Sequence, residues 1–355
     1  MKILHTEASC GWGGQEIRIL TEARGLIRRG HQVELVCPSE ARIFQEAPAY
    51  GVPVRALPIG KKRLPALKAM RAFLRDNRFD VINTHSSTDS WLAALACKML
   101  ADAPPIVRTR HLSTAVNRSW STRWLYEKGC AHVVVTGEAL KAQLIRDNGF
   151  PAAQLTSVPT GIDLERFHPQ PRASARAALG LSAEATYIGI LATLRDWKGH
   201  TVLFDALTQL LPSRPNLRVL IIGDGPYRDR LDTRAEVLGI TDRLDFVGHR
   251  TDAERWLPVI DVFTLPSWGD EGVSQALMQA MACALPIVTT PVGSLTEVIH
   301  DGETGLIVPP RDASALAAAI ARLLDDPALA GRLGTAAREL AVVRCGETLM
   351  LDRME

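Results

Sequence analysis

The sequence predicts an α/β protein made of two doubly wound domains, each with a parallel sheet between helices. Three observations carry that prediction. Short runs rich in β-branched residues alternate with helical stretches through both halves of the chain, the pattern of a parallel sheet with helical crossovers. The alternation breaks between Val158 and Pro171, where prolines and a glycine suit a linker, and restarts at Thr186. The chain of 355 residues is too long for one ordinary α/β core and suits two domains of about 150–200 residues.

Composition narrows the class. With 46% hydrophobic and 23% charged residues the chain reads as a soluble globular protein, neither disordered nor membrane-spanning. A net charge of +2 exerts no global pull on nucleic acid, so none is expected as a partner and any basic surface must be local. The six cysteines, Cys10, Cys37, Cys97, Cys130, Cys283 and Cys345, show no CxxC pair or metal-ligand spacing, which favours reduced thiols in a cytoplasmic protein. Met1 to His5 enters a strand directly and leaves no room for a signal peptide. No apolar run approaches the length of a membrane span, so membrane association would be peripheral.

Lys2 to Thr6 reads as the first strand, followed by a glycine loop, Ser9 to Gly14, and a helix from about Gln15 to Arg29. Glycine lets backbone N–H groups approach a ligand closely, so this turn is either a plain tight turn or an anion cradle. It is not the dinucleotide fingerprint GxGxxG. Gln32 to Cys37, Val52 to Leu57, Asp80 to Thr84, Ile106 to Arg110 and Val133 to Thr136 read as further strands. His85 and His111 each fall just after one of them. A lone histidine is commonly structural, but the carboxyl ends of parallel strands are where ligands bind. Lys61 to Arg78 carries seven Lys/Arg against one Asp, and on a helix Leu64, Leu67, Met70 and Leu74 form one stripe while Lys68, Arg71, Arg75 and Arg78 form another. A solvated helix face and a surface for anionic lipid or a phosphorylated acceptor both fit.

In the second half, Thr186 to Ala192 reads as a strand running into Leu194-Arg195-Asp196-Trp197-Lys198-Gly199. Leu217 to Ile222 runs into Gly223-Asp224-Gly225-Pro226, and Phe246-Val247-Gly248-His249 is expected to follow another strand. Asp261 to Leu265 then leads through the acidic turn Trp268 to Gly272 into an apolar helical run from about Val273 to Ala284, ended by Pro286. Ile287 to Thr290 and Leu306 to Val308 read as strands, and Ala313 to Leu324 and Pro327 to Val342 as amphipathic helices. A loop at the carboxyl end of a strand leading into a helix offers unpaired N–H groups to an anion, which places a phosphate-bearing ligand above Glu271, Gly272, Val273 and Ser274.

The stretch from Leu265 to Asp312 resembles the signature of retaining glycosyltransferases of the GT-B fold, two facing Rossmann-like domains with a cleft between them, and in particular family 4 of that fold. Members show an acidic residue, seven intervening residues and a second acidic residue, then an AMACG-type run. Here Glu271 matches the first acid, Gln279 stands at the second, and Ala280-Met281-Ala282-Cys283 follows. Leu194 to Gly199 resembles the family's G-R-L…K-G pattern, and Val158 to Pro169 its hinge, with Thr160 in place of Asn.

The resemblance implies roles residue by residue. Glu271 would hold hydroxyls of the donor sugar and Gln279 the nucleotide ribose, with hydrogen bonds but without the charge assistance of a carboxylate. Arg195 and Lys198 would sit on the donor diphosphate, Gly13 and Gly14 would face it, and Gly223 and Val247 would line the nucleotide site through their backbone. His111 would lie close to the donor sugar, and Gln15, Glu16 and His85 on the acceptor side. It also implies domains at 1–165 and 166–345, with 346–355 starting a helix that returns to the first.

The expected function is therefore metal-independent, cofactor-free transfer of a sugar from a nucleotide-sugar donor, UDP-sugar favoured, to a glycan or lipid-linked acceptor. Bacterial surface polysaccharide or lipopolysaccharide assembly is the pathway expected, at the inner face of the cytoplasmic membrane through Lys61 to Arg78. The alternatives are a nucleotide-sugar 2-epimerase of the same fold and a non-catalytic nucleotide-sugar-binding subunit, the latter suggested by Gln279 alone.

Overall fold

The computed structural model describes residues 1–112, 114–269 and 271–355, so Asp270 of the acidic turn and Ser113 beyond His111 lie outside the described residues. The chain divides into two units, Met1–Gly161 with Glu347–Glu355, and Ile162–Gly346. The first unit alternates β1 (Lys2–Thr6), α1 (Gly14–Arg28), β2 (Gln32–Cys37), α2 (Arg42–Glu46), β3 (Val54–Ala56), α3 (Leu64–Asp76), β4 (Val81–Thr84) and α4 (Ser87–Lys98). It continues with β5 (Ile106–Arg110), α5 (Trp120–Trp124), β6 (His132–Val135), α6 (Glu138–Asn148) and β7 (Leu155–Ser157). The second unit runs α7 (Arg172–Ala178), β8 (Thr186–Leu191), α8 (His200–Leu210), β9 (Leu217–Ile222), α9 (Arg228–Leu238), β10 (Leu244–Gly248), α10 (Ala253–Trp256) and β11 (Val262–Leu265). It ends with α11 (Gln275–Ala282), β12 (Ile287–Thr289), β13 (Leu306–Ile307), α12 (Ala313–Asp325) and α13 (Pro327–Arg344), after which α14 (Glu347–Met354) belongs to the first unit.

Both sheets are parallel, with strand orders β3-β2-β1-β4-β5-β6-β7 and β10-β9-β8-β11-β12-β13. In each, the chain works outward to one side and then returns to build the other. The reversal falls between β1 and β4 in the first sheet and between β8 and β11 in the second, where the following loops turn opposite ways and leave a crevice. Apolar clusters cover both faces of each sheet, which explains why the strands read as near-continuous apolar runs.

Several details depart from the sequence expectation. Phe246, Val247 and Gly248 lie within β10 and do not follow it, because pairing with β9 continues through a register shift to Gly248. The short strand β7, which the sequence reading does not include, adds an edge to the first sheet just before the linker. On α3 the buried face is Ala66, Met70, Phe73 and Leu74, while Leu64 is exposed at the helix start. Glu271 to Ser274 precede α11, which Ser274 caps by accepting from the Leu277 N–H at 3.4 Å. Its far end is closed by Ala284 at φ +56°.

The returning helix α14 explains Gly25 in the middle of α1. A glycine there costs about 1 kcal/mol of helix propensity. Any side chain at that position would collide with the Leu351 methyl groups, so the glycine sets the approach of α14. Arg24–Glu347 at 3.3 Å, Arg29–Asp352 at 2.6 Å and His31–Glu355 at 2.5 Å flank the contact. Leu351→Ala is expected to lower the unfolding free energy of the first unit by about 2–4 kcal/mol, as for other buried leucines. Urea unfolding followed through that unit checks this, and an unchanged midpoint would mean that α14 contributes nothing to its core.

Candidate active site

In the second unit the loops leaving β8 and β11 meet at the strand-order reversal. After β8 the chain forms a single 3-10 turn, Asp196–Lys198, stopped by Gly199 at φ +79°. A Cβ on Gly199 would collide with the Pro266 carbonyl, so only glycine lets the two loops come this close. The Trp268 N–H donates to the Trp197 carbonyl at 2.8 Å and ties them together. Across this seam the Lys198 ammonium donates to both oxygens of Glu271, at 2.6 and 2.9 Å.

Glu271 is buried and further fixed. The Ser267 hydroxyl donates to its Oε1 at 2.7 Å, and its own carbonyl accepts from the Ser294 N–H at 2.9 Å. A carboxylate out of water is tolerated because a cation and a hydroxyl meet it. Gly293, at φ +56°, lies so close to the Glu271 carbonyl that a Cβ could not be placed there. Gly223, at φ +149°, passes the Ala192 carbonyl in the same way and brings the β9 turn under the β8 loop.

The structure thus brings Lys198 onto Glu271, with Gly272 and Ser274 following in the same loop, while Gly223 lies against Ala192 just past β8. The Val273 side chain belongs to the apolar core, so that residue can offer a ligand only its backbone. Arg195 is exposed and lies over the Trp197 ring at 5.2 Å, beside the ion pair but outside it. Gln279 is half-buried one turn into α11, and Val247 is half-buried in β10. Beneath the Lys198 turn, burial and the Lys198 charge push the His200 imidazole down to about 3.

In the first unit the reversal collects polar groups that are buried. Glu7, immediately past β1, accepts from the Ser9 N–H at 2.6 Å and from the Gln15 amide, and burial with the nearby Asp89 pushes its carboxyl up to about 8. The expected acceptor residue Gln15 is therefore turned onto Glu7. Glu16 is buried beside the glycine loop, and Gly13 is the extended N-cap residue of α1, with Gly14 its first residue. Asp89 closes a capping box at the start of α4, accepting from the Ser86 N–H and the His85 N–H, each at 2.9 Å, and from the Thr6 hydroxyl at 2.7 Å. Fully buried Arg18 donates to the Val158 carbonyl at 2.6 Å and lies 3.5 Å from Glu22. His85 and His111 come together with a third histidine, His5 of β1.

His5, Glu7, Asp89 and Arg18 escaped the sequence reading. His5 and Glu7 could have been found as polar residues flanking the end of a strand, and Asp89 from its Ser-x-x-Asp spacing. Arg18 and Glu22 look like an ordinary exposed i,i+4 pair, and only the packing of α1 buries them.

The sequence comparisons agree with this architecture. The family model described as glycosyltransferase family 4 matches residues 12–166, and that described as glycosyl transferases group 1 matches residues 185–326. The chain belongs to these glycosyltransferases, whose fold is GT-B. It is 29% identical to a phosphatidyl-myo-inositol mannosyltransferase of Mycobacterium leprae over 92% of this chain and 88% of that one. It is 35% identical to the lipopolysaccharide core biosynthesis mannosyltransferase LpsB of Rhizobium meliloti, over 52% of this chain and 55% of that one. The crystal structure of Anabaena HepE in complex with UDP superposes with a TM-score of 0.87 at 21% identity, covering 100% of this chain and 98% of that one, which shows the shared fold.

Two expected outcomes follow from the local geometry. Gly293→Ala should cost about 1–3 kcal/mol, the range for a non-glycine held at an unfavourable backbone conformation, and should displace Glu271. Unfolding at an unchanged midpoint would mean that the loop absorbs the side chain. His200, with its pKa lowered from 6.5 to about 3, binds a proton in the unfolded chain before it does in the folded one. Its contribution to stability is thus present above about 6.5 and is lost as pH falls toward 3, by at most about 1.4 kcal/mol per unit. His200→Asn should flatten the stability profile over that window relative to the parent, and parallel profiles would refute the assignment.

Proposed function

We propose that this glycosyltransferase is a retaining, metal-independent enzyme whose second unit binds a nucleoside-diphosphate sugar and whose first unit carries a glycan or lipid-linked acceptor. The observation that carries the proposal is the Lys198–Glu271 pair, a cation and a carboxylate locked to each other at the strand-order reversal of the second sheet.

The chemistry follows from charge. As the bond from the anomeric carbon to the diphosphate breaks, negative charge accumulates on the leaving phosphate, and a cation already in place lowers the barrier without reorganising. The Lys198 ammonium has three donors and can turn some of them from Glu271 to a phosphate oxygen. Arg195, which no carboxylate pairs among the described residues, adds a second cation. Relieved of part of its ion pair, Glu271 accepts hydrogen bonds from sugar hydroxyls. Gly272, Val273 and Ser274 offer backbone N–H groups at the start of α11, and Gln279 a carboxamide for the ribose. The acceptor oxygen bonds the anomeric carbon on the face the diphosphate leaves and its proton passes to the departing phosphate oxygen, which keeps the anomeric configuration and needs no protein nucleophile.

A mannosyltransferase of lipopolysaccharide core biosynthesis and one acting on phosphatidyl-myo-inositol, among the relatives, support an acceptor built on a surface glycan or a lipid headgroup. UDP bound to the similar fold of HepE supports a uridine nucleotide. Lys68, Arg71 and Arg75 are exposed on α3 opposite its buried face, which supports peripheral contact with anionic lipid at the cytoplasmic face. No helix among the described residues is long and apolar enough to cross a membrane.

Calorimetric titration with UDP, GDP and ADP tests the donor site. One nucleotide should bind, with Arg195→Ala and Lys198→Ala each weakening it by about 1.5–3 kcal/mol, the range for a hydrogen bond to a charged group. Glu271→Ala should retain the nucleotide and lose sugar transfer. If no nucleotide binds, or all three variants behave as the parent, the donor site is misplaced. An inverted anomeric proton signal in the product, or activity abolished by EDTA, would separately overturn the retaining and metal-independent parts.

A further inference from the structure

Three histidines stand in a row across the first sheet. Register pairs His5 of β1 with Asn83 of β4, and His85 lies two residues beyond Asn83 on the same face. Carrying the β4–β5 register on by one residue sets His85 against Thr109, and His111 again lies two residues further. The diagonal is closed by hydrogen bonds, His5 Nδ1 to His85 Nε2 at 2.8 Å and His85 Nδ1 to His111 Nε2 at 3.0 Å. Ring centroids are 5.1 and 5.2 Å apart. His5 and His85 are buried, and His111 at the outer end is half-buried. The nitrogens face one another pairwise and do not converge on a point, and among the described residues no group of His, Cys, Asp and Glu is placed to hold a metal.

Each nitrogen-to-nitrogen bond needs one proton, so a neutral row of three imidazoles has two arrangements, with all donors pointing one way or all the other. Burial, the largest cause for each ring, pushes all three away from the charged form. Two further groups act on the row. Arg18 opposes a charge on His85 and His111, while Glu22 favours one on His5. The inner end decides the direction. His5 Nε2 is buried and meets no partner among the described residues. One Glu22 oxygen accepts from the Asn83 amide at 3.0 Å, and the other lies 3.5 Å from Arg18 without hydrogen-bonding it, His5 or any other described residue. If the donors pointed inward, His5 would strand an N–H there, and orphaned buried donors are the rarer defect in folded proteins.

We propose that His5 and His85 are positioning residues that hold His111 as its Nδ1–H tautomer, so that the first unit presents a fixed N–H donor to a substrate oxygen. His111 accepts at Nε2 from His85, which leaves its single proton on Nδ1, at the half-buried end of the row. The donor is fixed before substrate arrives, which spares it the reorganisation that an unconstrained imidazole would undergo. The substrate part of this inference rests on the glycosyl-transfer reading above, whereas the tautomer does not.

The test is 15N NMR of histidine-labelled full-length protein at neutral pH without substrate, where ring nitrogen shifts separate the two tautomers from each other and from imidazolium. His5, His85 and His111 should all be in the Nδ1–H form. Asparagine places an amide donor where Nδ1 stood, so His85→Asn should keep His111 in that form, whereas His85→Leu should release it to a mixture. With an active donor and acceptor pair, His85→Asn should retain kcat better than His85→Leu at similar KM. A parent His111 in the Nε2–H or charged form, or a His111 tautomer indifferent to His85→Leu, would overturn the proposal. Because the tautomer is read without nucleotide, it fails or stands independently of the donor site.

Discussion

The reversal of strand order is the constraint on which both halves of this protein depend. A parallel strand cannot be followed by its neighbour without a crossover, so every loop at the carboxyl ends must leave toward one side or the other. Where the direction changes, two successive loops part and the strand ends beneath them stay uncovered. In the second unit that gap receives the turn after β8 and the turn after β11, and their meeting places Lys198 against Glu271. In the first unit it receives the glycine loop after β1 and the capped start of α4 after β4.

The two gaps are furnished in opposite electrostatic styles. The second holds an ion pair, in which the Lys198 ammonium meets the buried Glu271 carboxylate at 2.6 Å. The first holds groups that burial drives toward neutrality: three imidazoles pushed down, and the Glu7 and Asp89 carboxyls pushed up. Many of its polar atoms bond one another, through Gln15 on Glu7, Thr6 on Asp89 and the histidines in sequence, while His5 Nε2 at the inner end has no partner among the described residues. A neutral, mutually bonded surface suits recognition of hydroxyl groups, whereas the ion pair suits an anion. The proposed placement of the acceptor in the first unit and the charged donor in the second draws on that division.

Glycine recurs where the backbone must pass closer than a side chain permits. Gly199 and Gly293 let the β8 loop, the β11 loop and the turn after β12 press together, and Gly25 seats the returning helix. Gly25 gives up local helix stability for a contact remote in sequence, whereas Gly199 and Gly293 hold left-handed backbone angles that glycine adopts without strain.

The alternation of apolar strands and amphipathic helices determined the two parallel-sheet units, because strand and helix periods are properties of short segments. The spacing of Arg195, Lys198 and Glu271 relative to strand ends likewise marked the loops that carry them, and strand ends marked His85 and His111. The segment from Phe246 to Gly248 was misread because pairing, which decides where a strand stops, depends on its neighbour β9. Only the tertiary structure decided that Lys198 meets Glu271 and not a separate partner, that Gln15 is occupied by Glu7, and that His5 completes a row with His85 and His111. Those contacts join residues as far as 80 positions apart, and they follow from register between strands and from burial. A linear pattern carries which face a residue occupies, but the partner it meets on that face is set by the neighbouring strand's register, which no local period encodes.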